Sequence, residues 1–116
     1  LGDPGVVAKA ILGPAYAFQY TPNQKVRRSV DVWHRKRSPR AITVDVSCFD
    51  STITEEDIAF EAKLFAAASD DPDMVMKLSE YYAAGSMVSP DGVTVGYRRC
   101  RSSGVLTTSS GNSITC

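Results

Sequence analysis

Apolar residues recur along this chain with two different periods, and each period marks an element. Val26, Val30 and Trp33 fall at helical spacing between about Asn23 and Arg37, and Pro39 ends that helix. Their stripe is expected to pack in the core. Ile42, Val44 and Val46 alternate with Thr43, Asp45 and Ser47, the two-residue period of a buried strand. Asp45 then points to the polar side as the strand runs out, and Asp50 lies beyond it, near the turn into Thr54. Thr54 and Asp57 form a capping-box pattern that opens a helix burying Ile58, Ala62 and Phe65. Another helix starts near Asp71-Pro72, buries Val75, Leu78 and Tyr82, and ends at Gly85. Residues 86–89 and 93–97 flank the turn signal Pro90-Asp91-Gly92, which predicts a hairpin. No internal repeat is visible, and the mixture of elements makes an α+β chain.

After the hairpin the sequence changes character. Arg98, Arg99 and Arg101 lead straight into Ser103-Gly104, where the glycine lets the backbone bend sharply or approach a ligand closely. A helix starting in the threonine pair would put Thr108 and Asn112 on one face, presenting a hydroxyl and an amide. Such Ser/Thr/Gly composition usually means a linker, but Val105 and Leu106 inside it argue otherwise. An Asp-x4-Asp pair such as Asp45 and Asp50 is by itself the pattern of turn or capping aspartates.

Charge adds little in total and more in distribution. The formal net charge is zero, so the bulk signature of a nucleic-acid binder is missing. Lys25, Arg27, Arg28, Arg35, Lys36, Arg37 and Arg40 nevertheless crowd one region, and Glu55, Glu56, Asp57, Glu61, Asp70, Asp71, Asp73 and Glu80 the next. The basic run from 25 to 40 reads as a solvated helix face, whereas Arg98, Arg99 and Arg101, leading into the Ser103 loop, are better placed to meet phosphates. Cys48, Cys100 and Cys116 are odd in number and lack C-x-x-C spacing, which points away from a disulfide framework or a zinc site and suits a reducing compartment. Apolar stretches are too short to cross a membrane. His34, the single histidine, reads as a surface helix residue.

The CFDST block with Asp45 and Asp50, followed by Ser103-Gly104-x3-Thr108-x3-Asn112, resembles motifs A and B of positive-strand RNA virus RNA-dependent RNA polymerases. YAFQYTP (residues 16–22), FDSTITEEDI (residues 49–58) and GYRRCRSSGVLTTSSGN (residues 96–112) narrow the likeness to the pegivirus and hepacivirus branch of the flavivirus family, with pegiviruses nearer. The resemblance runs over essentially the whole chain. It implies part of a right-hand polymerase with an incomplete palm sheet, packed helices and a hairpin. Residues 1–12 would be fingers, 13–51 palm with motif A, 52–107 fingers leading into the motif B loop, and 108–116 the start of the palm motif B helix. A start at Leu1, a stop at Cys116 within an expected helix and the lack of a Gly-Asp-Asp tripeptide read as an internal piece. Such a piece is expected to be catalytically silent alone.

The same resemblance implies the chemistry. Asp45 would be a catalytic carboxylate holding Mg²⁺ or Mn²⁺, with the Val46 backbone carbonyl as a further ligand, in a site with two metals about 3.5–4 Å apart. Asp50, Ser103, Thr108 and Asn112 would hold or test the ribose 2′-hydroxyl, the group that separates RNA from DNA, and Gly104 would give the motif B loop its mobility. Implied partners are RNA template and product, ribonucleoside triphosphates and the remainder of the viral polymerase and replication complex, at membrane-associated sites in the host cytoplasm. Two other classes compete. A noncatalytic RNA-binding module explains the arginines but not Asp45 at the end of an apolar strand, and a small carboxylate cation-binding domain explains the aspartates but not the Ser-Gly, Thr and Asn spacing.

Overall fold

The protein is described here by a computed structural model covering residues 3–105 and 107–116; Leu106, one of the two apolar residues of the motif B run, lies outside them. Four helices make the packed part: α1 (Pro4–Leu12), α4 (Glu55–Ala67), α5 (Pro72–Ala83) and α6 (Thr108–Thr115). Helix α4 packs along α5 and touches α6, which in turn packs on α1. Helix α2 (Pro22–Arg35), the single turn α3 (Phe49–Thr52) and a two-stranded hairpin, β1 (Gly85–Val88) and β2 (Val95–Arg98), complete the chain. The result is the mixed helix-and-hairpin chain that the periodicity predicts.

Local chemistry accounts for the helix starts. The Thr54 hydroxyl accepts the Asp57 N–H at 3.2 Å while the Asp57 carboxylate accepts the Thr54 N–H at 3.0 Å, the expected capping box. Glu55, Glu56 and Asp57 also place negative charge at the positive end of the α4 dipole. Asp71 caps α5 ahead of Pro72, accepting the Met74 N–H at 3.2 Å. A second reciprocal box, between Thr21 and Gln24, starts α2 one residue before the predicted Asn23. In the hairpin, Gly85, Ser86, Met87 and Val88 pair with Arg98, Tyr97, Gly96 and Val95. Its turn closes through the Gly92 N–H on the Ser89 carbonyl at 2.8 Å, with Gly92 at φ 75°, a conformation that favours glycine.

Three expectations fail. Residues 41–46 form no strand, and Ile42 and Val44 are 86% and 79% exposed. A strand holds its shape only when neighbouring backbone takes up its N–H and C=O groups, and among the described residues none pairs with this segment in a ladder. The Val26, Val30 and Trp33 stripe is likewise solvent-facing, although α2 itself forms as predicted. On α5, Val75 and Tyr82 are half-buried but Leu78 is exposed, so that helix covers α4 with one edge. These uncovered parts make the chain extended: its radius of gyration is 17.2 Å, against about 13–14 Å for a compact domain of this length.

The buried core is small and centres on Ile53, Ile58, Ala62, Phe65 and Ala66 with Val7, Ala8 and Tyr16. Substituting Ile53 with alanine should therefore cost about 2–4 kcal/mol in urea unfolding, and Thr54→Ala about 1 kcal/mol through loss of the cap. Val26→Ala should change stability by less than about 0.5 kcal/mol. A Val26 variant as damaging as the Ile53 variant would show that the α2 stripe is core after all.

Candidate nucleotide site

Asp50 sits in the turn α3 because the chain reverses just before it. Cys48 adopts the left-handed conformation, φ 50° and ψ 51°, and its carbonyl accepts both the N–H and the hydroxyl of Ser51, at 3.0 and 2.7 Å. That reversal sends residues 44–46 and the α3 turn to the border of the same open cleft, of about 960 Å³. The opposite border is the motif B run: Gly104, Val105, Thr108 and Asn112. Leu12, Phe18 and Phe49 add an apolar wall. Asp45 and Asp50 thus share one cleft with Thr108 and Asn112, as a common ligand would require.

Direct contacts join the two motifs as well. The Ser103 hydroxyl donates to Asp50 Oδ2 at 2.5 Å, and Asn112 Nδ2 donates to Asp50 Oδ1 at 2.6 Å, across 53 and 62 sequence positions. Thr108, the first residue of α6, donates its hydroxyl to the Ser102 carbonyl at 2.7 Å and so closes the loop onto the helix. Gly104, at φ 81° with open space where a Cβ would go, is required by its backbone angle and not by crowding.

The arginines divide. Arg101 is buried, with a side chain 1% exposed, and its guanidinium forks onto the Glu61 carboxylate while Nε donates to Asn112 Oδ1 at 2.8 Å. Arg98 donates to the Tyr82 and Cys100 carbonyls. These two side chains therefore depart from the phosphate-facing orientation expected of them, because buried or half-buried guanidinium groups must find acceptors inside the protein. Arg99 is exposed and lies over the Tyr97 ring, 5.4 Å from its centroid. The basic run from 25 to 40 is exposed apart from the half-buried Pro39, with Arg28 over Tyr20 at 4.8 Å.

Glu61 is a buried contact behind the site that the sequence pattern does not single out. It falls three residues after Ile58 and beside Ala62, a carboxylate in the middle of an apolar stripe, and that misfit was the available signal. Gly111 is a second. A Cβ there would overlap the Glu61 carboxylate, so the carboxylate can lie where it does against α6 only with glycine at this position. Tyr16 is a third, buried with its hydroxyl 3.2 Å from that of Ser110.

Divalent cations prefer six or more oxygen ligands. The cleft offers Asp45 with the neighbouring Val46 backbone, and among the described residues no group of three acidic, histidine or cysteine side chains gathers in metal-binding range. These residues would make part of a cation site and not a whole one.

Ser103, and then Asn112, hold the Asp50 carboxyl below the usual aspartate range, with the Arg101 charge adding to them and burial opposing. Since the folded value is the lower one, the stabilisation is complete above the unfolded value and disappears as pH falls through the folded one. Titration of the Asp50 carboxyl carbon by NMR should give a midpoint below that of an ordinary aspartate, and Ser103→Ala should raise it. A wild-type midpoint at or above the ordinary value would contradict the bonded geometry.

A family model for viral RNA-dependent RNA polymerase matches residues 1–116. The genome polyprotein of Hepatitis C virus genotype 6a is 46% identical over 112 residues, 93% of this chain and 4% of the polyprotein. That of genotype 3a is 45% identical over 109 residues, 90% of this chain and 4% of the polyprotein. The chain thus spans about 4% of the length of these relatives.

Proposed function

We propose that this chain, which belongs to the viral RNA-dependent RNA polymerase family, carries the part of an RNA-copying enzyme that reads the sugar of the incoming nucleotide. The observation that carries this reading is the bonding of both Ser103 and Asn112 to Asp50 at the edge of a cleft that Asp45 also borders. Neither competing class accounts for that convergence together with a family match over the full 116 residues.

In this reading a ribonucleoside triphosphate lies in the cleft with its ribose toward α6. Asp50 is an acceptor and Asn112 a donor for the 2′-hydroxyl, with Thr108 adding to the polar lining and Ser103 holding Asp50 from outside it. Such a site favours the hydroxyl because its absence leaves desolvated polar groups unpaired. Asp45, with the Val46 carbonyl, would contribute to a Mg²⁺ or Mn²⁺ site completed by the rest of the polymerase. Bound there, the cations would neutralise phosphate charge and activate the attacking 3′ oxygen. Gly104 lets the loop between the hairpin and α6 change shape as the template advances. Arg99 is the arginine of the three left facing outward to meet an RNA phosphate.

The wider placement follows the family. Residues 13–51 and 108–116 would belong to the palm, and 1–12 and 52–107 to the fingers, of a right-hand enzyme of pegivirus or hepacivirus type. That enzyme would copy positive-strand RNA with other replication proteins at host cytoplasmic membranes. Among the described residues no helix is long and apolar enough to cross a membrane.

The test uses the full-length parent polymerase. Asp45→Asn should reduce synthesis at least about a hundredfold with ribo- and 2′-deoxynucleotides alike. Asn112→Ala and Asp50→Ala should lower the ratio of kcat/KM for a ribonucleotide over its 2′-deoxy analogue by roughly tenfold or more. An active Asp45→Asn enzyme, or a ratio unmoved in both other variants, would overturn the assigned roles. This chain by itself should incorporate no nucleotide above background, and template-dependent synthesis by it would contradict the view that its site is only part of the whole.

A further inference from the structure

We infer that the buried Glu61–Arg101 pair sets which way the Asn112 amide faces, and thereby fixes the donor and acceptor polarity of the sugar-reading site. This inference rests on the roles proposed above for Asp50 and Asn112.

An asparagine amide can present either oxygen or nitrogen to a neighbour, and the two ends differ little in shape. Asp50 is ionised at neutral pH and only accepts, so it needs the nitrogen. Arginine only donates, so Nε of Arg101, at 2.8 Å, needs the oxygen. Arg101 and Asp50 therefore enforce the same orientation from opposite ends of one amide. Turned over, the amide would set its oxygen against a carboxylate and its NH₂ against a guanidinium. In the enforced orientation one amide hydrogen goes to Asp50 and the second remains for a hydroxyl in the cleft.

Arg101 can do this only while its other edge is held. Both terminal nitrogens donate to Glu61, one to Oε1 at 3.1 Å and the other to Oε2. This bidentate fork fixes the guanidinium plane, and hence the direction of Nε, in a way that the single ammonium of lysine cannot. The backbone N–H of Arg101 also donates to the Asp50 carbonyl at 3.2 Å, so the same residue grips both motifs. Gly111 admits Glu61 to this position, immediately before Asn112. Glu61 and Arg101 do not border the cleft; they are positioning residues acting through Asn112.

The test compares Arg101→Lys, Glu61→Gln and Asn112→Ala in the full-length polymerase, alone and with each of the first two combined with the third. The readout is the ribo to 2′-deoxy ratio of kcat/KM, alongside the melting temperature. Arg101→Lys should lower the ratio about tenfold, the worth of one well-directed hydrogen bond, with a smaller loss on the deoxynucleotide. Glu61→Gln should lower it less, because the glutamine oxygen still holds one guanidinium nitrogen. Each double variant should show the ratio of Asn112→Ala alone, since all three act on one contact. If Asn112→Ala lowers the ratio and Arg101→Lys does not, the positioning role is wrong while the sugar reading stands. If Asn112→Ala leaves the ratio unmoved, Asn112 does not read the sugar and the inference falls, and Asp50→Ala unmoved as well would sink the sugar reading itself. Equal losses on both nucleotides in Arg101→Lys and Glu61→Gln, tracking a lower melting temperature, would mean that the pair serves only stability and would overturn the inference.

Discussion

A guanidinium placed where water cannot reach it must be paired, and the requirements of Arg101 organise the centre of this structure. Its charge is met by Glu61 from α4, its third edge by Asn112 from α6, and its backbone by Asp50 from the α3 turn. The neighbouring α3 and α4 are joined to the distant α6 because one residue touches all three. Such a pair is a poor source of net stability, since desolvation offsets much of the attraction. Removing one partner is another matter: it strands a buried charge, at a cost of about 3–5 kcal/mol. What the pair joins is the Asn112 end of α6 to the Asp50 turn.

Around that junction the apolar core is modest. Ile53 leads into α4, Ile58, Ala62 and Phe65 line its inner face, and Val7, Ala8 and Tyr16 contribute from the first segment. The cleft lies beside this core and not within it, so Asp45 and Asp50 stay near water while the pair behind Asn112 does not. The cleft is backed by this dry contact and left open in front. Outside this region, the stripe of α2 and the run from Ile42 to Val46 present apolar surface without cover.

How much of this was legible in the sequence depended on the range of the interaction. Thr54 with Asp57, Asp71 with Pro72, and Pro90-Asp91-Gly92 are local signals: α4 and α5 start where the pattern put them, and the hairpin forms with its strands shifted, 85–88 and 95–98 in place of 86–89 and 93–97. The facing of Thr108 and Asn112 followed from helical spacing alone. The periodicity of Ile42, Val44 and Val46 described a preference for a sheet, but a strand also requires a neighbour, which alternation cannot supply. Arg101 misled for a related reason: beside Arg98 and Arg99 it reads as part of a basic patch, and only its distant partner Glu61 reveals that it points inward. The family likeness rested on whole motifs, and it held over the entire chain.

The central claim is that Arg101 is locked against Glu61 and Asn112, and amide-type hydrogen exchange on its side chain tests that most directly. Arg99 provides an internal reference, because it is exposed in the same short run. At neutral pH the Nε–H of Arg101 should be resolved by NMR and strongly protected, while that of Arg99 exchanges freely with solvent. An Arg101 Nε–H that exchanges as fast as that of Arg99 would contradict the account.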